Sequence, residues 1–427
     1  MGDIEDGITA EFVEFSDDGR WLVTGNGLGE AFLLNAATGA IERRFSYITE
    51  QDIAGRTEFD ISGGKTKGME VECGAFTPDG RFLVLGGNLN GVKVFDLRDG
   101  SLVRHIKVEE EVDGLGISAD GRFFAHAAPK SARVLRLADW TPIARVRHGD
   151  KEGVTNSIDF TRDGILMVSA GNYGHVILTR TADWRGIGDG IAPRISSIKS
   201  VRFSPDARLI AAGYGGSAKS IAIFRTKDMS LVKHFPLFYI EAVAWTADGR
   251  FLIAGGRDNQ GRLRVYRAAD WKLVADPQVQ ADNSNIEYID VHGDLIAIAG
   301  EDAHVRLFRI DSTARAGNRA FQELVFIDHE NLRYIEDSET TAFQVNEIKR
   351  NIDQAKQYGV DAYLLFANKT MEGMLTYDFD VPGIGNIGAK AFPPDSRHRR
   401  EADAKTRKGR EIELDLMEDG TIVKKKF

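Results

Sequence analysis

Residues Phe76 to Gly87 read "FTPDGRFLVLGG", a short polar turn between two apolar segments. An Asp-Gly turn flanked by apolar residues is a strong signal for a β-hairpin. Relatives of this stretch recur along the chain and align on the turn at Gly19, Gly80, Gly121, Gly164, Ala207, Gly249 and Gly293. After one longer first interval the steps run from 41 to 44 residues, so the hairpin is one part of a repeated unit.

Each unit continues with two more strand-like segments. "VKVFDL", "IAIFRT" and "VRLFRI" follow the hairpin in different units, and a further turn leads to segments such as "SLVRHI" and "SLVKHF". Four short antiparallel strands, repeated seven times at about 42 residues, are typical of a β-propeller, whose blades bury both faces against their neighbours. The sequence therefore predicts an all-β, seven-bladed β-propeller over residues 8–328, with an inserted loop at 47–70.

The "PDGR" hairpin and the blade length resemble the WD-repeat family of propellers, in a degenerate form of bacterial type. The family's Gly-His pair before the first strand and its Trp-Asp pair at the end of the third are missing. Tryptophans stand instead at Trp140, Trp184 and Trp271, in turns that lead to the fourth strand. The resemblance implies a rigid ring that serves as an interaction scaffold.

Closure of the ring depends on the fourth strand of the seventh blade, because without it an edge stays exposed. Two segments are candidates: the N-terminal "MGDIEDG" and the segment "FQELVFI" at residues 321–327. The second alternates apolar and polar residues and follows the third strand directly, so we expect it to complete the blade.

Residues 329–427 form a second region, predicted as a small α/β or partly extended appendage. The pattern favours a helix within 341–359, a strand at 360–367 and a closing hairpin at 410–427. "NLRYIED" and "YLLFANKTMEGMLTYDFD" faintly resemble the opening of βα-barrel enzymes that act on glycosides, but such a barrel needs about 250 residues. We interpret "GIGNIG" at 383–388 as a glycine-rich loop and the basic stretch 397–410 as a solvated helix or tail.

Composition excludes several partner classes. The net charge of −9, from 55 basic and 64 acidic residues, gives no electrostatic drive towards nucleic acid or a membrane surface. The single cysteine, Cys73, excludes an intramolecular disulfide. No apolar stretch has the length of a membrane span. We expect a monomer, cytoplasmic if the chain is complete and exported if a signal peptide has been removed.

When the seven repeats are aligned on their turns, one residue of each blade falls at an equivalent position, where the innermost strand enters the central channel. This set, the mouth ring, consists of Glu11, Glu72, Asp113, Asn156, Lys199, Glu241 and Glu287. Its five carboxylates repel one another and need a cation, a basic partner group, Lys199 or ordered water. The ring is thus either a water-filled opening or a site for a cation or polar ligand. We expect no organic cofactor; a divalent ion, if held, has Glu241, Glu287 and Glu11 as ligands.

The same face carries a second set of residues, in the loops between second and third strands and at the entry to blade six. Aromatic and arginine side chains there are typical of protein-binding surfaces. This expected partner rim consists of Tyr173, Tyr214, Phe238, Tyr239, Arg257 and Asp258.

No residues stand out as a nucleophile with its base, so no catalytic residue is assigned. The sequence favours a non-enzymatic scaffold that binds a protein or a polar small ligand through its loop face and acidic channel mouth. Two alternatives stay open: a propeller hydrolase or lactonase with a metal at the mouth, and an accessory propeller of a truncated carbohydrate-active enzyme.

Overall fold

The structure is a computed structural model, and it describes most of the propeller and the strands of the C-terminal region. The described residues are 9–49, 52, 70–88, 91–108, 111–148, 153–172, 174–191, 196–216, 218–258, 261–277, 279, 284–302, 304–310, 321–328, 363–369, 375–381, 385–391, 401–406, 411–416 and 422–425. From residue 309 onward only the backbone is described. Two compact units divide the chain, Met1–Gln322 and Glu323–Phe427.

Seven four-stranded sheets form the blades, each built from strands consecutive in sequence. Blades one to three consist of β1 Ala10–Phe15, β2 Trp21–Asn26, β3 Glu30–Asn35 and β4 Ile41–Ser46; β5 Cys73–Phe76, β6 Phe82–Gly86, β7 Val92–Asp96 and β8 Leu102–Ile106; β9 Leu115–Ile117, β10 Phe123–Ala128, β11 Ser131–Arg136 and β12 Thr141–Arg147. The all-β class and the seven blades predicted from the repeat are confirmed.

Blades four to seven follow the same order. They consist of β13 Thr155–Phe160, β14 Leu166–Gly171, β15 His175–Arg180 and β16 Arg185–Ile191; β17 Ile198–Phe203, β18 Leu209–Tyr214, β19 Ser220–Arg225 and β20 Leu231–Pro236; β21 Tyr239–Trp245, β22 Phe251–Arg257, β23 Arg264–Arg267 and β24 Lys272–Ala275; β25 Ile286–His292, β26 Leu295–Gly300, β27 His304–Ile310 and β28 Phe321–Asp328. As expected, the segment beginning at Phe321 supplies the fourth strand of blade seven.

The repeated turn has a structural explanation. In blade two the Thr77 hydroxyl donates a hydrogen bond of 2.6 Å to Asp79, whose carboxylate also accepts the Arg81 backbone N–H at 3.0 Å. The residue between them, Gly80, has a φ of 65°, a conformation that glycine adopts without strain. The turn joins two strands and contributes no reactive group, so it is a structural element of the blade.

The ring closes through the innermost strands. These strands contact one another in the cyclic order β1, β5, β9, β13, β17, β21, β25, and β25 contacts β1. At this last junction the Phe15 backbone N–H donates a hydrogen bond of 2.7 Å to the Asp290 carboxylate. Apolar side chains such as Leu178, Val201 and Phe224 fill the space between consecutive blades and stabilise the ring.

Six further strands form one antiparallel sheet in sequence order: β29 Tyr363–Lys369, β30 Leu375–Val381, β31 Gly385–Ala391, β32 Glu401–Thr406, β33 Glu411–Leu416 and β34 Ile422–Lys425. The closing hairpin is confirmed as the β33–β34 pair. The helix predicted within 341–359 lies outside the described residues.

Two interpretations of the C-terminal sequence are wrong in part. The glycine-rich stretch 383–388 enters β31, and the basic stretch 397–410 contains β32 rather than a helix or tail. The described pairings are antiparallel, whereas a βα-barrel opening requires parallel strands.

In the part of the chain that the structure describes, no helix has the length and apolar character needed to cross a bilayer.

Candidate functional site

All seven residues of the mouth ring line one cavity of about 340 Å³ at one end of the central channel. In five blades the ring residue is the extra residue of a β-bulge. In blade six, for example, Ile240 pairs with Gly256 and Ala242 with Gly255, so that Glu241 has no partner across the ladder. Bulges at Glu11, Asn156, Lys199 and Glu287 repeat this geometry. A bulge redirects its side chain, which explains how these five strands each turn one polar residue towards the cavity. Glu72 and Asp113 lie just before β5 and β9 instead.

The mouth is electrostatically divided, and its acidic half is formed by blades one to three. Burial raises the pKa of Glu11 to about 7, although the hydrogen bond from Thr9 opposes the shift. Burial and the carboxylates of Glu11 and Asp113 raise the pKa of Glu72 well above its usual range. Burial, with Glu111 nearby, raises the pKa of Asp113 to about 6. Among the described side chains, no ion pair joins these three ring acids to a lysine or arginine.

The other half, formed by blades five to seven, contains its own cations. The Arg257 Nε donates a hydrogen bond of 2.6 Å to Glu241, and its Nη atoms lie 3.7 Å from carboxylate oxygens of Glu287 and Glu301. Burial lowers the pKa of Lys199, but the charges of Glu241, Tyr239 and Asp113 and a hydrogen bond with Tyr239 together raise it overall. In the described residues, the ring acids without a close ion pair to lysine or arginine are therefore those of blades one to three, although the charge of Lys199 lowers the pKa of Asp113 and that of Arg257 lowers the pKa of Glu11.

Between the two halves, Asn156 is held by the protein itself. Its Nδ2 donates hydrogen bonds of 2.8 Å to the Ile198 carbonyl and 3.0 Å to Asn172 Oδ1. Its amide nitrogen is thus committed to the junction between blades four and five.

A second polar layer lies three residues further along the innermost strands. This lower layer consists of Glu14, Asp159, Arg202 and Asp290, which occupy equivalent positions in blades one, four, five and seven. Arg202 donates hydrogen bonds to Ser157 Oγ at 3.0 Å, to the Val201 carbonyl at 2.9 Å and to Tyr288 Oη at 2.7 Å.

The lower layer separates the mouth from a second cavity of about 120 Å³. Arg202 and Tyr288 line both cavities, so the contact between their side chains lies between the two. Asp159 accepts the backbone N–H groups of Phe160 and Phe203, at 2.8 and 2.7 Å. Its carboxylate thereby ties blade four to blade five, as Asp290 ties blade seven to blade one.

Sequence reasoning missed the lower layer, although a signal was present. A polar residue stands three positions after the ring residue in "EFVEF", "NSIDF", "KSVRF" and "EYIDV", inside strands that are otherwise largely apolar. The register that located the mouth ring also locates these residues, and buried polar side chains require partners.

Several residues of the expected partner rim are buried and are not part of the protein surface. Tyr214 is fully buried in the core between blades four and five, so its assignment to the rim is wrong. The Asp258 carboxylate is 6% exposed and lies 3.5 Å from Arg264, which makes it an internal ion pair. Phe238 is partly buried, with the Arg264 guanidinium 5.3 Å from its ring centre. Tyr173 lies outside the described residues.

Of the two remaining rim residues, Arg257 lines the mouth and Tyr239 contacts residues that line it. The Arg257 guanidinium lies 5.4 Å from the ring centre of Tyr239. Tyr239 also forms a side-chain hydrogen bond with Lys199, so its phenol joins the aromatic edge of the mouth to the ring itself. The rim and ring residues predicted separately thus meet at blade six.

Two observations on the described residues bear on the hydrolase alternative. No group of three or more His, Cys, Asp and Glu side chains there is placed to hold a metal ion. The His148 ring accepts or donates a 2.8 Å hydrogen bond with Ser169 Oγ, but both residues are buried in the core between blades three and four. Burial lowers the pKa of His148 to about 4. This pair is therefore enclosed and inaccessible to a substrate.

A family model described as "WD domain, G-beta repeat" matches residues 229–263. Together with the seven blades, this match supports a likeness to WD-repeat propellers. The propeller is WD-repeat-like. The matched segment runs from the outermost strand of blade five through β22, and it includes the mouth residues Glu241 and Arg257. A search of the curated proteins gave no match.

Proposed function

We propose that this WD-repeat-like propeller is a non-enzymatic interaction scaffold whose channel mouth receives a positively charged group of a partner. The observation that carries the proposal is the uneven charge of the mouth. Glu11, Glu72 and Asp113 face a cavity of about 340 Å³, whereas the acids of blades six and seven are paired with Arg257. A cation entering on the side of blades one to three relieves the repulsion among carboxylates.

Size and composition of the cavity favour a single basic side chain or a small polar cation. Its lining combines carboxylates, hydroxyls and amides, and ligand sites begin at about 300 Å³. A rigid ring pays little conformational entropy on binding, which suits a scaffold. Protein partners and small ligands share this chemistry, so the same charged probe tests both.

The test uses agmatine, which has one ammonium and one guanidinium group, in isothermal titration calorimetry at constant ionic strength. We expect saturable binding to the full chain, lost when Glu72→Gln is combined with Asp113→Asn. The matched control is Glu42→Gln, which removes a carboxylate from the exposed outer strand β4. Equal binding by both variants, or binding that simply follows ionic strength, contradicts the proposal.

A divalent ion is the competing occupant of the same mouth. Calcium chloride at the same ionic strength is therefore titrated in parallel. Saturable calcium binding without agmatine binding would replace the proposed basic partner by a metal.

A further inference from the structure

Arg257 is the last residue of β22, and its guanidinium already occupies part of the mouth. Carboxylates of Glu241, Glu287 and Glu301 surround it at 2.6, 3.7 and 3.7 Å, and the ring of Tyr239 lies 5.4 Å away. Three carboxylates and an aromatic face are the groups that recognise a planar guanidinium. This side of the mouth is thus a formed guanidinium subsite, occupied by the protein's own side chain.

The guanidinium of Arg257 is held less firmly than that of the other channel arginine. The Arg257 side chain is 47% exposed and makes one short contact, to Glu241, with two longer ion pairs. Arg202 makes three hydrogen bonds of 3.0 Å or less inside the channel. Water can hydrate the half-exposed guanidinium when it leaves the mouth. Its partners Glu241, Glu287 and Glu301, whose side chains are 6%, 16% and 24% exposed, then need another cation.

We propose that Arg257 is a resident occupant of the mouth, which an incoming guanidinium group, the arginine side chain of a partner protein, replaces. The inference rests on the proposed function and names the class of cation that the mouth selects. When Arg257 leaves, Glu241, Glu287 and Glu301 require a new counterion, and the arriving guanidinium supplies it. Arg257 therefore competes with the ligand for these carboxylates and lowers the apparent affinity of the mouth for it.

The subsite also predicts selectivity between cations. A guanidinium is planar, with donors that reach several carboxylates at once and a face that stacks on an aromatic ring. An alkylammonium is a compact point charge without this planar face. Ethylguanidinium should consequently bind in preference to ethylammonium.

Arg264 offers a matched control within the same blade. It too pairs with a carboxylate, Asp258 at 3.5 Å, and lies 5.3 Å from an aromatic ring, that of Phe238. Its side chain is 16% exposed, and it is not among the residues that line the mouth. Replacing it removes a similar guanidinium without opening the subsite.

The experiment is chemical rescue of Arg257→Ala in the full chain, followed by thermal unfolding with ethylguanidinium chloride at millimolar concentration. We expect the Tm of Arg257→Ala to rise by about 3 °C more than that of the unsubstituted protein, with a smaller rise in ethylammonium chloride. Agmatine affinity should also increase about threefold or more, because the internal competitor is gone. Arg264→Ala should show neither change, and Arg257→Lys keeps a cation that blocks the rescue.

The outcomes separate the two proposals. If the unsubstituted protein binds agmatine at the mouth but Arg257→Ala gains neither rescue nor affinity, the resident role of Arg257 is refuted and the proposed function stands. If neither protein binds agmatine, both fail. If Arg257→Ala does not fold, an unchanged agmatine affinity in Arg257→Gln overturns the inference.

Discussion

The central channel contains two acidic layers that serve different purposes. In the lower layer, Asp159 and Asp290 accept backbone N–H groups from neighbouring blades, and the charge of Arg202 opposes the rise in pKa that burial causes in both carboxyl groups. In the mouth ring, Glu72 and Asp113 face an open cavity and have no arginine or lysine ion pair in the described part of the chain.

The difference shows that the partner of a carboxylate, more than its location, indicates its role. Both layers lie in the same channel, and within each layer the residues occupy equivalent positions of their blades. A carboxylate with a backbone donor stabilises the ring, because its hydrogen bond forms only in the folded protein. A carboxylate that is buried near other carboxylates without a compensating donor destabilises the fold. Such an arrangement is expected at a binding site, where function is retained at a cost in stability.

Removing the lower-layer cation should have the largest effect on stability. Arg202→Met leaves Asp159 and Asp290 buried without their guanidinium, and we expect the free energy of unfolding to fall by about 3 kcal/mol or more. Arg257→Met should cost less, about 1–2 kcal/mol, because the Arg257 side chain is half-exposed although its carboxylate partners are largely buried. Urea unfolding of both variants measures the difference, and equal losses would remove the distinction between the layers.

Two lower-layer carboxylates test the closure of the ring. Asp290→Ala breaks a tie between blades seven and one, which are distant in sequence, and should cost about 2 kcal/mol. Asp159→Ala breaks the corresponding tie between blades four and five, which the chain also connects, and should cost about 1 kcal/mol. Hydrogen exchange of β1 after each substitution reports where the ring opens. Faster exchange of β1 in Asp159→Ala would contradict this account.

The smallest effect on stability is expected from pH at the mouth. The pKa of Glu11 is raised to about 7 in the folded protein, so between its ordinary value and pH 7 the folded state retains a proton that the unfolded chain has lost. Stability due to this group is present at low pH and disappears as the pH rises through 7. At pH 8, Glu11→Gln should therefore melt about 2 °C higher than the unsubstituted protein, with little difference at pH 4. A lower Tm for the variant at pH 8 would reverse the sign and contradict the account.

The repeat made most of the fold predictable, and the limits have physical causes. The period and the turn predict seven blades, and the register brings Glu11 and its equivalents to one cavity. Tyr214 is the last residue of β18 and is buried for that reason. A shift of the strand end by one residue would place it in the loop, and sequence patterns do not locate strand ends so finely. The pairing of Arg257 with Glu301 joins two blades across the mouth, which no local pattern encodes.

The most direct measurement of the central claim is a titration of the protein, labelled with 13C at its aspartate and glutamate carboxyl groups, with agmatine. Cation binding at the mouth should shift the carboxyl resonances of Glu11, Glu72 and Asp113 in a saturable way at pH 7, because a bound cation favours their ionised forms. Resonances of the lower-layer acids Glu14, Asp159 and Asp290 should stay unchanged. Shifts confined to the lower layer, or an unchanged mouth at saturating agmatine, would contradict the central claim.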